Sequence, residues 1–295
     1  RFVRIFKHKN YVAVLKTDSI EFLYDAANAS GSPLSPVQGS GIQGVGTVFP
    51  STLCQFKDTA IWLSAPRNGS ASVVMLEGLQ IKTISTPQID RLLSVYSRTV
   101  DVALLFTPES WILSLNGQIF YILTSPKVDY SLVYDLTTKK WFVWTSLDTS
   151  SEGFLPFVAS SGAHQVSDLA SNDQHYILVL HRHNGRIYIV DNANYQDHRS
   201  DGSTAGAINF DFVTVPVDFG TTATKFLHRL TILCDEQTCA SLLSCQWSDD
   251  DGITWSTARD VDMSDTQPTL YRCGSFKRRI FKFSSTANTP IRIWG

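Results

Sequence analysis

Residues 54–96 read CQFKDTAIWLSAPRNGSASVVMLEGLQIKTISTPQIDRLLSVY. Cys54 to Phe56 and Ala60 to Ser64 are short apolar runs separated by the polar break Lys57-Asp58-Thr59. Arg67-Asn68-Gly69 is a turn cluster, Ser72 to Leu76 reads as a third strand, and Gly78 marks a turn before Ile81 to Ile84. Four short strands in this span match the roughly 40–50 residues of one propeller blade. Thr86-Pro87 then opens a helix, because Thr caps well and Pro at the first helical position costs no hydrogen bond. Ile89, Leu92, Leu93 and Tyr96 recur at helical spacing and predict one apolar face.

The same texture extends to both sides. Upstream, Phe2 to Phe6, Tyr11 to Lys16 and Ser19 to Tyr24 read as strands, the first two joined by His8-Lys9-Asn10. Asp25 to Gly46 is rich in Ala, Ser, Gly and Pro and lacks an apolar period. A loop of that length inside a domain is expected to make contacts, here with a neighbouring subunit or partner that would order it. Downstream, Ser110 to Leu115 and Gln118 to Thr124 flank Asn116-Gly117, a strong hairpin signal. Leu132 to Leu136 and Trp141 to Thr145 form another hairpin, and Tyr176 to His181 and Arg186 to Val190 flank Asn184-Gly185. The recurrence predicts an all-β chain: a β-propeller of antiparallel blades over residues 1–204. From about Ala205 the strands Phe210 to Val217, Phe226 to Cys234, Ser241 to Trp247, Ile253 to Val261, Ser275 to Phe283 and Pro290 to Trp294 form a C-terminal β region, 205–295. Closing blades and a small β-sandwich both fit it.

Composition narrows the function classes. With 25 basic and 27 acidic residues there is no overall positive excess of the kind that drives nucleic-acid binding. Neither a membrane-length apolar run nor a charged-then-apolar leader pattern is present, so no membrane insertion is expected. The chain opens at Arg1, inside what reads as a strand, and a processed or missing N-terminus is expected. Cys54, Cys234, Cys239, Cys245 and Cys273 are odd in number and lack zinc-knuckle spacing, so they read as small buried hydrophobes of a reducing cytoplasm.

The one compact polar motif is Ser248-Asp249-Asp250-Asp251-Gly252-Ile253-Thr254-Trp255, an Asp-box of the form S-x-D-x-G-x-T-W. The Ser248 and Asp250 side chains are expected to hold the turn by bonding to backbone amides, with Thr254 as the motif's threonine, Gly252 in the positive-φ corner and Trp255 packed beneath. Asp-boxes occur in sialidases, but away from the active site, and a single copy reads as structural. The three adjacent carboxylates lack the twelfth-position ligand of a calcium loop. His181 and His183 would share a strand face, with His164 and His175 upstream, but their place beside a turn favours a structural role over a metal site. Trp141 and Trp144 read as inter-blade contacts rather than a sugar platform. There is no nucleophile elbow, phosphate loop or H-E-x-x-H motif. No catalytic residue, cofactor or metal is expected, and the chain reads as a non-enzyme.

The run Lys82-Thr83-Ile84-Ser85-Thr86-Pro87-Gln88-Ile89-Asp90 resembles the (R/K)-x-I-S-T-x-x-I-(D/E) segment of the packaged-DNA stabilisation, or tail hub (nozzle), proteins of short-tailed bacteriophages (podoviruses). Ser19-Ile20-Glu21-Phe22 resembles the family's Ser-Ile-Glu strand, and Gly117 to Thr124 its G-x-x-F-Y-x-L-T strand. The likeness runs to about Trp144 and thins afterwards, although Lys277 to Phe283 and Asn288 to Arg292 are similar to the family's C-terminal strands. The resemblance implies a virion structural protein, assembled in the host bacterial cytoplasm into a homo-oligomeric ring, with a hexamer as the leading number. Such a ring would sit below the portal and adaptor, help retain packaged DNA, contact the double-stranded DNA passively and form the ejection channel. Lys139-Lys140 and Lys277-Arg278-Arg279, the dense basic runs, are then expected to face acidic partner surfaces. The alternatives are a secreted sialidase-like glycan-processing propeller, which would need repeated Asp-boxes, and a generic propeller interaction scaffold.

Overall fold

The computed structural model of the chain describes residues 1–28, 30–66, 70–97, 107–115, 117–148, 153–157, 159–167, 174–181, 185–190, 195–198, 204–235, 237, 241–289 and 291–293. The chain divides into two compact units, Arg1–Val190 and Asp191–Gly295.

Among its described residues the first unit has four antiparallel sheets in chain order. The first sheet has β1 (Phe2–His8), β2 (Tyr11–Lys16) and β3 (Ser19–Asp25), with β4 (Leu34–Pro36) and β5 (Ile42–Gln43) both paired to β3. The second has β6 (Cys54–Phe56), β7 (Thr59–Ser64), β8 (Ser72–Glu77) and β9 (Gln80–Thr83), followed by helix α1 (Pro87–Ser97). The third has β10 (Glu109–Leu115), β11 (Gln118–Thr124), β12 (Ser131–Asp135), β13 (Lys140–Asp148) and β14 (Gly153–Pro156). β15 (Ala159–Ser167), β16 (Gln174–His181) and β17 (Ile187–Ile189) form the fourth. Apart from β5, strands pair with their sequence neighbours, which makes each sheet a blade-like meander.

Strand periodicity explains why the central strands read as unbroken apolar runs. Alternate residues point to opposite faces, so a strand buried on both faces needs apolar residues at every position. Ala60, Trp62, Val74 and Leu76 on one face of the second sheet pack with Phe6, Ala13, Leu15, Ile20 and Phe22 of the first. Ile61, Leu63, Val73 and Met75 on the other face meet Ile89 and Leu93 of α1 and Tyr121, Leu123, Leu132 and Tyr134 of the third sheet. Trp111, Leu113, Phe120, Ile122 and Val133, on the third sheet's other face, pack against the fourth sheet's Ala159, Ile177 and Val179. The cores of this unit therefore lie between successive blades. Helix α1 begins as its sequence dictates: Thr86 Oγ1 accepts from the Ile89 N–H at 3.4 Å.

Asp25 to Gly46 differs from the sequence expectation, because much of the segment is built into its own blade. β4 and β5 add to β3, and Val37, Ile42 and Val45 pack against the core between the first two sheets. Trp62 Nε1 donates to the Val45 carbonyl at 2.9 Å, and Ser64 Oγ to the Gly46 carbonyl at 3.1 Å. A Cβ on Gly46 would lie 2.3 Å from the Asp18 nitrogen, so this close backbone approach requires glycine. The segment's apolar residues are too widely spaced to show a period, yet each one meets the blade.

In the second unit β18 (Gln196–His198) pairs with β19 (Thr204–Ala207), a hairpin that spans the Thr204/Ala205 boundary read from sequence. The remaining strands are β20 (Phe210–Val213), β21 (Lys225–Phe226), β22 (Arg229–Thr231), β23 (Leu242–Ser248), β24 (Arg259–Asp262), β25 (Thr269–Tyr271), β26 (Ser275–Phe276) and β27 (Ile280–Ser285). One sheet has the order β20-β27-β23-β24, while β21 pairs with β26 and β22 with β25. Leu243, Cys245, Val261, Phe281 and Phe283 of the four-stranded sheet share a core with Ile232, Leu270 and Cys273. The run expected as a strand from Ile253 to Val261 is strand only from Arg259, because Asp250 to Thr254 form a turn. Ser275 to Phe283 is likewise broken at Lys277–Arg278. Of Pro290 to Trp294, Ile293 bridges Cys234, whereas Pro290 and Trp294 lie outside the described residues.

Candidate functional site

The Asp-box is the most densely bonded polar cluster picked out by sequence, and the structure brings its five residues into one turn at the end of β23. Ser248 Oγ donates to Asp250 Oδ1 at 2.7 Å and accepts from the Gly252 N–H at 2.8 Å. Asp250 Oδ1 accepts from the Thr254 N–H at 2.9 Å, and Oδ2 from the Thr254 hydroxyl at 2.5 Å. The Thr254 hydroxyl, its amide and the Ser248 hydroxyl hold the Asp250 carboxyl at a pKa of about 2, because each bond favours the anion. Asp251 and Gly252 have φ of 59° and 92°. The Trp255 ring comes within 3.8 Å of where a Gly252 Cβ would stand.

The three consecutive carboxylates serve three different partners. Asp250 closes the turn, Asp251 pairs with Arg278 at 3.3 Å, and Asp249 pairs with Arg279. The Arg279 guanidinium is almost wholly buried, at 1% exposure, so its charge needs full compensation. Nε and Nη2 donate to the two Asp249 oxygens at 2.7 and 2.8 Å, and the group also donates to the Cys273 and Ser275 carbonyls. Phe276 and Trp247 lie 4.5 and 5.2 Å from it in cation–π contact. Of the basic run Lys277-Arg278-Arg279, expected from sequence to face a partner surface, Arg279 is therefore buried, while Lys277 and Arg278 are exposed. Arg279 turns inward and Arg278 meets Asp251, because the strand alternation entering β27 sends one arginine to each side. Sequence reading placed Arg279 on the surface and missed its burial. Its signal was position: an arginine followed by Ile280-Phe281 and preceded by Phe276.

The remaining candidates have structural surroundings. Trp141 Nε1 donates to the Ile84 carbonyl at 2.9 Å, and its ring packs on Tyr134 in the core between the second and third sheets. Trp144 packs on Phe120 and Phe157, toward the fourth sheet. His181 is buried with its ring 5.5 Å from Tyr188. Arg67-Asn68-Gly69, Asn116, His183, Asn184 and Cys239 lie outside the described residues, as do the side chains of Tyr96, His164 and His175. No group of three metal-ligating side chains occurs among the described residues. Cys54, Cys234, Cys245 and Cys273 are free, and burial, with help from Cys273, pushes the Cys245 thiol up to about 12. Such a thiol stays protonated and unreactive at neutral pH. Among the described residues no helix is long and apolar enough to cross a membrane.

These features define an all-β protein of stacked antiparallel blades followed by a second β unit, with its densest polar cluster spent on holding a turn. Residues 1–193 match the phage-stabilisation family, described as Bacteriophage P22 Gp10, beta-propeller, and the chain belongs to that family. The match reaches past Trp144, where the sequence likeness thins, but does not include the C-terminal strands. No curated protein sequence matches the chain. Among solved structures it is similar to the exo-beta-1,3-galactanase of Phanerochaete chrysosporium, at 8% identity and TM-score 0.29, covering 98% of this chain and 78% of that one. It is also similar to a GH32 beta-fructofuranosidase of Bombyx mori, at 10% identity and TM-score 0.22, with the same coverage. Likenesses this low carry no argument about chemistry.

Proposed function

We propose that the chain is a structural subunit of a short-tailed phage virion, a tail hub or nozzle protein. Several copies, six as the leading number, form a ring below the portal and adaptor that helps retain packaged DNA and lines its exit. The family match over residues 1–193 carries this reading. Three further observations support it. The second and third sheets are packed on both faces like a rigid scaffold, and the Asp-box is consumed by its own turn. The near balance of 25 basic and 27 acidic residues suits a wall past which DNA slides. The reading implies no catalysis. Its test is a phage lacking this protein, in which heads should fill and then lose their DNA. Purified virions should carry the protein in a small fixed copy number at the tail vertex. Particles that retain DNA without it would defeat the proposal.

A further inference from the structure

The face of the first sheet that packs on the second reaches past it at one end. β2 and β3 pair Ala13 with Phe22, both wholly buried against the second sheet, and then Val12 with Leu23. The next pair outward in this register is Tyr11 and Tyr24, which by strand alternation share the face of Ala13 and Phe22. The second sheet turns back at this level. The carbonyl of its turn residue Gly78 accepts from His8 Nε2 at 2.6 Å, and His8 pairs with Tyr11. Tyr11 and Val37 are therefore only partly covered, at the margin of the shared core, and Tyr24 is 42% exposed. Polar groups follow at once: Asn10 on the β1–β2 turn, and Asp25 at the end of β3, whose Oδ1 accepts from the Ala27 N–H at 2.9 Å. Asn10, Tyr11, Tyr24, Asp25 and Val37 line an open cleft of about 570 Å³, a volume ordinary for small-ligand sites. None of the residues that line it is basic.

We propose that this cleft binds a neutral sugar. A pyranose ring has C–H bonds on its faces and hydroxyls around its rim, and the cleft offers a partner for each. The tyrosine rings and Val37 provide apolar surface, and the negative π face of a tyrosine attracts polarised C–H bonds. The Asp25 carboxylate accepts from hydroxyls, while the Asn10 amide both donates and accepts. Charge selects among ligand classes. An anionic ligand would meet the Asp25 carboxylate with no basic group in the lining to offset the repulsion. A cation would suit the carboxylate and the aromatic rings but leave the Asn10 amide without a role. A neutral polyol uses all of these groups. The inference does not depend on the ring reading, because every residue of the cleft belongs to the first sheet of one chain.

The test applies the full chain to an array of neutral, acidic and amino-sugar glycans, with choline as a separate cationic probe. Glycans that bind are then studied by saturation-transfer NMR. Binding should be confined to neutral glycans, with saturation strongest on ring C–H protons. Tyr24→Ala should lose the signal and Asp25→Asn should weaken it, both at the wild-type melting temperature, whereas Tyr24→Phe, which keeps the ring, should retain it. A measurement on the unaltered protein guards against a variant that does not fold. With ¹³C-labelled tyrosine, the Tyr11 and Tyr24 ring resonances should shift as the bound glycan is titrated. No glycan bound, binding of only choline or charged sugars, a folded Tyr24→Ala that still binds, or Tyr11 and Tyr24 resonances that stay in place would each overturn the inference. None of these outcomes bears on the ring reading, whose own test is DNA retention.

Discussion

At the residue scale, the second unit is governed by two polar locks of opposite exposure. The Asp250 carboxyl sits on the surface and is held by hydrogen bonds, the Thr254 hydroxyl first. Its folded pKa of about 2 is depressed from an unfolded value of about 3.9. Its contribution is therefore present above about pH 4 and lost as pH falls toward 2. The melting temperature of the second unit should fall across that window, and Asp250→Asn should flatten the fall. Equal slopes for parent and variant would refute this role. Gly252 has room for a side chain but not the dihedral: at φ 92° a β-branched residue is strained whatever the space. Gly252→Val should cost about 1–2 kcal/mol or more in thermal unfolding. The Arg279–Asp249 pair is asymmetric, because Arg279 is buried while the Asp249 side chain is 43% exposed. Asp249→Ala strands a buried cation and should cost about 3–5 kcal/mol. Arg279→Met leaves a carboxylate that water can reach and should cost less. The reverse order in urea titrations would mean that the aromatic contacts, not the carboxylate, hold the guanidinium.

At the element scale, the segment after β3 shows how a loop without periodicity is ordered. The Val37, Gly44 and Thr47 amides donate to the Phe22, Asp18 and Lys16 carbonyls. These three amides should be protected from hydrogen exchange in the isolated chain, while Ala27 to Ser32, which are exposed where described, should exchange fast. Exchange of all of them at the unfolded rate without a partner would restore the original expectation of ordering by assembly. Gly46→Ala should destabilise the first unit, since the new methyl meets backbone at Thr17 and Asp18 that cannot move aside. The boundaries of β2 and β11 were legible in sequence because their apolar residues alternate or run unbroken between turn signals. β15 was not: ASSGAHQVS has little apolar character, and Gly162 is there because the Trp111 ring fills the space of its side chain.

For the molecule as a whole, the charge balance sets the expectation for DNA. Arg278 and Arg279 are engaged within their own unit, which removes two cations from the densest basic run. Binding should be weak, independent of sequence and salt-sensitive, no tighter than roughly 10⁻⁴–10⁻⁶ M at physiological salt. A filter-binding titration of the assembled protein measures it. Nanomolar affinity or sequence preference would replace a passive wall with a surface that grips.

Sequence alone determined the all-β class, the blade rhythm of the first unit and the composition of the Asp-box. Each is written in local signals: period-two apolarity, Asn-Gly and Gly turns, and one eight-residue motif. Tertiary structure alone decided which carboxylate meets which arginine and that the loop after β3 returns to its own blade. Those outcomes depend on residues far apart in the chain, and on a register in which one residue's slip moves a side chain from core to solvent.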